Sequence, residues 1–241
     1  MRTHLQVSLL ALAALVGCQA SPGSSGPPTA AVQRFDAGFS SEGRPIEVLA
    51  FGEGREVVLM LASIHGSEPA GTALLERLAG ALVAQPELLR GRRVVLVPRA
   101  NPDGLILGTR GNAAAVDLNR DFPSRNRALQ RAEVQPETRA LMDLIEGLEP
   151  ARIVSIHQPL GCIDWDGPAD ELVRALGALQ ILSPRRLGSR PGSLGSWAGV
   201  DRRIPVVTLE LPGGSERQSS DQLWQRYGKL VLEAVAYRPR L

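Results

Sequence analysis

Residues 57–82 read VVLMLASIHGSEPAGTALLERLAGAL, and a change of rhythm inside this stretch sets the fold. Val57-Val58-Leu59-Met60-Leu61-Ala62 is a continuous apolar run, the pattern of a strand covered on both faces. Pro69 then opens a segment in which Ala70, Leu74, Leu78 and Leu82 recur at helical spacing, and proline suits a first helical turn. Between the two lies the polar tetrad His65-Gly66-Ser67-Glu68. The same alternation continues on both sides. Phe35–Phe39, Ile46–Phe51, Val94–Val97, Ile153–Ile156 and Val206–Leu211 read as strands. Leu141, Leu144, Ile145 and Leu148 mark one further helix, and Leu172, Leu176 and Leu179 another. Leu223, Trp224, Tyr227, Leu230, Val231 and Ala234 stripe a last one. Strands alternating with helices predict an α/β single domain, a three-layer αβα sandwich around a mixed, mostly parallel twisted sheet. Ligands of such sheets sit beyond the carboxyl ends of the strands. Residues 100–130 show no clear period, and an irregular stretch of that length inside a compact domain is usually functional.

Composition narrows the class. The 241 residues are 44% hydrophobic and 22% charged, with a formal net charge of +2, which leaves no polyanion footprint and argues against a nucleic-acid partner. Lys229 is the only lysine among 27 basic residues. Two cysteines cannot staple a disulfide scaffold. Arg2 and His4 precede an apolar stretch from Leu5 to Val16, the layout of a secretory signal. Leu15-Val16-Gly17-Cys18 resembles a bacterial lipobox, which implies removal of residues 1–17 and lipid on Cys18. Residues 18–34, rich in Ser, Pro and Gly, are then expected to form a flexible tether, and 35–241 the folded domain. The expected location is the cell envelope, facing the periplasm. Gln19 after the lipidated cysteine points to the outer membrane.

Three histidines are present, His4, His65 and His157, and signal removal deletes the first. Each survivor follows a predicted strand. His65 and Glu68 can turn toward one ion across a strand-to-helix joint, and His157 from another strand completes three protein ligands. The fourth position is then left to water, as in catalytic zinc sites. Two nitrogens and a carboxylate suit zinc better than magnesium or calcium.

Seven segments, in order, resemble the zinc metallocarboxypeptidase family, most closely its murein peptide amidase branch. They are His65-Gly66-Ser67-Glu68, Asn101-Pro102-Asp103-Gly104, Gly108-Thr109-Arg110-Gly111-Asn112, residues 116–123, residues 156–160, Pro191–Trp197 and residues 207–212. The resemblance implies one zinc per chain held by His65, Glu68 and His157, with Glu210 as general base and acid. Asn119 and Arg120 match the pair that grips a substrate's terminal carboxylate. Arg110 matches the arginine that polarises the scissile carbonyl, with Leu107 the alternative at that position. The strand physics agrees with the role of Glu210: Val206, Thr208 and Glu210 share one face against Val207, Leu209 and Leu211. The family's substrate-covering tyrosine has no counterpart upstream of Glu210, because Tyr227 and Tyr237 both lie downstream. Trp197, Trp165 or water is expected to fill that role. Cys162 is expected as a buried inert thiol, and Asp164 and Asp166 as loop acids that either face solvent or read a cationic group.

The implied reaction is hydrolysis of an amide bond in peptidoglycan stem peptides, with γ-D-glutamyl-diaminopimelate the preferred bond. Export sets the chain apart from the murein amidases that recycle peptides, which are typically cytoplasmic. Alternatives are an exported carboxypeptidase for ordinary peptides, an aspartoacylase- or desuccinylase-type deacylase, and a non-catalytic wall-binding lipoprotein.

Overall fold

A computed structural model describes residues 31–125 and 133–239. The signal segment, Cys18 and most of the tether lie outside the described residues. The strands are β1 (Val32–Phe39), β2 (Pro45–Phe51), β3 (Glu56–Ala62), β4 (Arg92–Val97), β5 (Arg152–His157), β6 (Leu160–Asp166), β7 (Ser183–Pro184) and β8 (Val206–Pro212). The helices are α1 (Ala70–Ala84), α2 (Pro102–Leu107), α3 (Pro136–Leu148), α4 (Asp170–Gly177) and α5 (Ser220–Ala236). Among the described residues, no helix is long and apolar enough to cross a membrane.

The strands form one sheet in the order β1-β2-β4-β3-β5-β8-β6-β7. Its centre, β4-β3-β5-β8, is parallel, while β1, β2 and β6 each run antiparallel to a neighbour. The mixed sheet agrees with the sequence expectation. The apolar run of β3 divides as a strand covered twice must. Val58, Met60 and Ala62 pack with α1, α4 and α5 on one face. Leu59 and Leu61 pack with α3, Phe122 and Trp197 on the other.

Three local readings are corrected. Strand β1 begins at Val32, so residues 32–34 belong to the sheet rather than to a tether. The segment 160–166, read as a loop, is strand β6. Residues 100–130 contain a short helix, α2, capped by Asn101, whose side chain accepts from the Gly104 N–H at 2.9 Å.

The chain leaves β3 through α1 to β4 on one side of it, then returns through α3 to β5 on the other. The direction of winding therefore reverses between β3 and β5. The crevice at such a switch point is where open α/β sheets hold their ligands.

Candidate metal centre and cavity

His65 lies just after β3 and His157 ends β5, so both stand at the switch point. The loop that carries His65 depends on a close approach. A Cβ on Gly66 would fall 1.9 Å from the Gly104 carbonyl carbon, so only glycine lets this turn lie against α2. Asn101 ties the same two segments by donating to the Ile64 carbonyl at 3.1 Å. The Glu68 N–H closes the turn onto the His65 carbonyl at 3.1 Å.

The three expected ligands converge. Glu68 Oε1 is 2.9 Å from His65 Nδ1, and its Oε2 is 2.9 Å from His157 Nδ1. The two Nδ1 atoms are 3.1 Å apart. All three residues are buried, and their ligand atoms lie within 4.8 Å of one another. On its far side, His65 Nε2 is 3.0 Å from Asp117 Oδ1. A carboxylate there keeps the Nε2 proton and leaves Nδ1 as the lone pair that faces the cluster, as at metal-binding histidines generally. A buried set of two imidazole nitrogens and one carboxylate is the donor chemistry of zinc.

Electrostatics fit a cation at this point. Burial opposes ionisation of Glu68, but hydrogen bonds with His157 and His65 outweigh it and hold the carboxyl at about 2. Asp117 is likewise held well below the usual carboxylate range: burial works against its charge, and His65 and Arg110 more than offset it. Burial would lower the pKa of His65, yet Asp117 and Glu68 raise it above the ordinary histidine value.

A cavity of about 390 Å³ opens beside the cluster. Glu210 lines it, with Val206 and Thr208 on the same face of β8. Val207, Leu209 and Leu211 pack into the core behind. Burial pushes the Glu210 carboxyl up, and the Leu160 N–H, 3.4 Å from Oε2, only partly counters this.

Arg110, Asn119 and Arg120 line the same cavity. Arg110 Nε donates to Asp117 at 2.9 Å, and its Nη1 is 3.4 Å from Glu68 Oε1. Leu107, the alternative, is 57% exposed and stands outside the cavity lining. Asn119 Oδ1 accepts from the Leu194 N–H at 2.9 Å, which fixes its side chain at the cavity wall. The Arg120 guanidinium donates to the Asn119 carbonyl and meets no carboxylate among the described residues. Burial and the nearby Arg110 and Arg190 lower its pKa, against the pull of Asp117. The cavity thus holds an arginine fork without an anion to grip.

Trp197 is corrected. It is fully buried, with its ring 5.5 Å from Phe122 and the Arg202 guanidinium 3.7 Å from the ring centre. It is a core residue and does not touch the cavity. Trp165 faces away as well, donating to Asp170 at 3.0 Å. Among the described residues no Phe, Tyr or Trp side chain lines the cavity. Cys162 is a buried free thiol, its pKa raised by burial. Asp164 and Asp166 are not loop acids. They sit on β6 and line the cavity, each only 8% exposed. Sequence reasoning passed over the role of Asp117, although the residue stood inside the segment 116–123; an acid beside an Asn-Arg pair gives no sign of the histidine it will meet.

A family model described as zinc carboxypeptidase matches residues 29–161. Murein peptide amidase A of Escherichia coli (strain K12) is 36% identical over 209 residues, covering 77% of this chain and 82% of that protein. The murein peptide amidase A of Vibrio campbellii is 35% identical over 178 residues, covering 64% of this chain and 68% of that protein. Among solved structures, murein-tripeptide amidase MpaA from Escherichia coli O157 aligns with a TM-score of 0.67 at 30% identity, covering 91% of this chain and 96% of that one. With the fold, the buried histidine–glutamate cluster and these matches together, the chain belongs to the zinc carboxypeptidase family.

Proposed function

We propose that this chain hydrolyses an amide bond in peptidoglycan stem peptides, with γ-D-glutamyl-diaminopimelate as the bond cut. The names of its relatives support the substrate class. The observation that carries the reading is the meeting, in one cavity, of the His65–Glu68–His157 cluster, the Glu210 carboxylate and the anion-seeking pair Asn119–Arg120.

His65, Glu68 and His157 would hold the zinc. When bound there, zinc supplies Lewis acidity toward the attacking water and the amide carbonyl. Glu210 takes the proton of the attacking water and delivers it to the departing nitrogen, a double task suited to a carboxyl raised by burial. Arg120 and Asn119 hold the free carboxylate of the leaving residue, Arg120 by two parallel hydrogen bonds that lysine could not reproduce. Arg110, already at the edge of the cluster, turns to the scissile carbonyl oxygen. Asp117 keeps His65 aimed throughout.

The test is Glu210→Gln assayed on the tripeptide L-alanyl-γ-D-glutamyl-meso-diaminopimelate. The variant is expected to retain its zinc and lose roughly 10³-fold or more in kcat, on the scale of losing a general base together with its transition-state charge. Near-normal turnover at full metal content would reject the mechanism.

The lipobox-like run ending at Cys18 supports an envelope lipoprotein that meets its substrate outside the cytoplasm. Cys18→Ser should move the protein from the membrane fraction to the soluble one, measured by fractionation and blotting. An unchanged membrane fraction would remove lipid on Cys18 from the account.

A further inference from the structure

The end of the sheet opposite the cavity carries charge that the hydrolysis does not use. One row of register runs from Val32 through Phe51, Val94 and Val58 to Arg152. Val32, where the chain enters the sheet, therefore stands level with the first residue of β5. His157 lies five residues further along that strand, about 16 Å away at about 3.3 Å per residue. The chain from Cys18 thus meets the domain at the amino ends of the parallel strands, and the cavity opens at their carboxyl ends.

Arginines surround that point of entry. Gln33 on β1 shares a shallow cleft with Arg55 and Arg93. Gly54 packs on Gly91, where a Cβ would fall 1.9 Å from the Gly91 carbonyl carbon, and this close approach holds the loop of Arg55 against that of Arg90. Arg238 donates to the Arg90 carbonyl at 3.3 Å. Arg55, Arg90 and Arg238 are exposed and Arg93 is half-buried, and none of the four makes an ion pair among the described residues. Glu56 is already taken: it lies 2.5 Å from Arg152 and 3.2 Å from Arg92, two buried arginines behind the patch. Two exposed acids stand beside the four, Glu53 in the same cleft and Glu87 one turn before Arg90. Beyond Arg238 lie Glu171 and Glu233, with Arg174. Positive charge is therefore in excess around Arg55, Arg90 and Arg93, although the whole chain carries only +2.

We propose that this face, formed by Arg55, Arg90, Arg93 and Arg238, rests on the anionic phospholipid headgroups of the membrane that holds the chain, with the cavity turned away from the bilayer. This rests on the lipid-anchored reading of Cys18. The thirteen residues between Cys18 and Val32 reach at most about 47 Å, so an anchored domain stays close to the headgroups. That reach alone leaves the domain free to tilt, and the arginines set which end faces down. A basic patch beside an acyl anchor supplies the second signal that stable attachment needs. Each arginine at an anionic surface strengthens binding about fivefold, an effect that salt screens.

The experiment uses the mature chain, residues 18–241 with Cys18→Ser, which keeps the whole described fold and carries no lipid. It is sedimented with vesicles of phosphatidylcholine, with and without added phosphatidylglycerol. Binding to the anionic vesicles should exceed binding to the neutral ones by at least about 25-fold and should vanish at high salt. Arg90→Gln with Arg93→Gln should weaken it by about 25-fold, and Arg90→Lys with Arg93→Lys should preserve it. Arg77→Gln with Arg99→Gln removes the same charge near the cavity end, where Arg77 pairs with Asp221 at the start of α5 and Arg99 follows β4. That pair should weaken binding by less than about threefold. Equal binding to the two vesicles, equal loss from the two glutamine pairs, or loss in the lysine pair would overturn the proposal. Orientation is read on the lipidated protein by energy transfer to a headgroup dye. A label on Ala84→Cys, at the far end of α1, should transfer more strongly than one on Ile106→Cys, on α2 beside the His65 turn; the reverse order would overturn the proposal. The lipid is tested separately by the fractionation of Cys18→Ser, so a chain that binds anionic vesicles yet carries no lipid in cells would remove the anchor and leave the patch standing.

Discussion

Asp117 joins two parts of the site that have separate chemical tasks. Its Oδ1 meets His65 Nε2 and also accepts the Asn119 N–H at 2.9 Å, capping the turn that presents Asn119 and Arg120. The proposed metal ligand and the proposed carboxylate grip are therefore fixed to one anchor. Arg120 acts at the end of this chain of support. Arg120→Ala should lower kcat/KM for a peptide with a free terminal carboxylate by about 100-fold, as expected when a bidentate charged contact is lost, and change the amidated analogue little. Steady-state kinetics on the two substrates check this, and equal losses would take Arg120 out of the grip. At this scale, the convergence of His65, Glu68 and His157 was legible because His65 and His157 are the only histidines after residue 4. Trp197 was not. Its segment matches the family pattern, but the large apolar ring gains more by packing on Phe122 under Arg202 than by facing water in a cavity.

Elements place these residues through polar clamps that no periodicity reveals. The turn between β1 and β2 is pinned to α2 by Asp103, which accepts from Ser40 Oγ at 2.7 Å, the Glu42 N–H at 3.1 Å and Arg44 at 2.6 Å. The same turn is pinned to α3 by Glu137, which accepts from the Ser41 N–H at 2.9 Å and from Asn112 at 3.0 Å. Burial opposes the charge of Asp103, and its bonds from Arg44, Ser40 and Glu42 outweigh that, so its pKa in the folded chain is depressed. A depressed carboxyl contributes stability that is complete above its unfolded value, about 3.9, and is lost as the pH falls toward its folded value. Asp103→Asn should therefore reduce stability at pH 7 and flatten the fall in stability below about pH 4, as followed by thermal melts across pH. An unchanged acid limb would contradict this assignment. The main strands and helices were legible from alternation and spacing. Strand β6 was missed for a physical reason: Ile163 and Trp165 face the core, while Asp164 and Asp166 face the cavity. With acids where a strand's second face ordinarily carries neutral residues, the segment reads as a loop.

The whole molecule brings residues from positions 65 to 210 together because the sheet reverses its winding between β3 and β5. His65 and Glu68 leave one central strand, His157 ends its neighbour, and Glu210 stands beside His157 on the next. A zinc held by His65, Glu68 and His157 would tie β3 and β5 at their carboxyl ends and would serve as a cross-strand link as well as a Lewis acid. The claim that these three side chains form one metal site is tested most directly by anomalous diffraction at the zinc edge from crystals of the zinc-loaded protein. One strong peak within bonding distance of His65 Nδ1, Glu68 and His157 Nδ1, beside the Glu210 carboxylate, is the expected result. A loaded crystal whose zinc lies elsewhere, or whose His157 turns away from the pair His65 and Glu68, would contradict it.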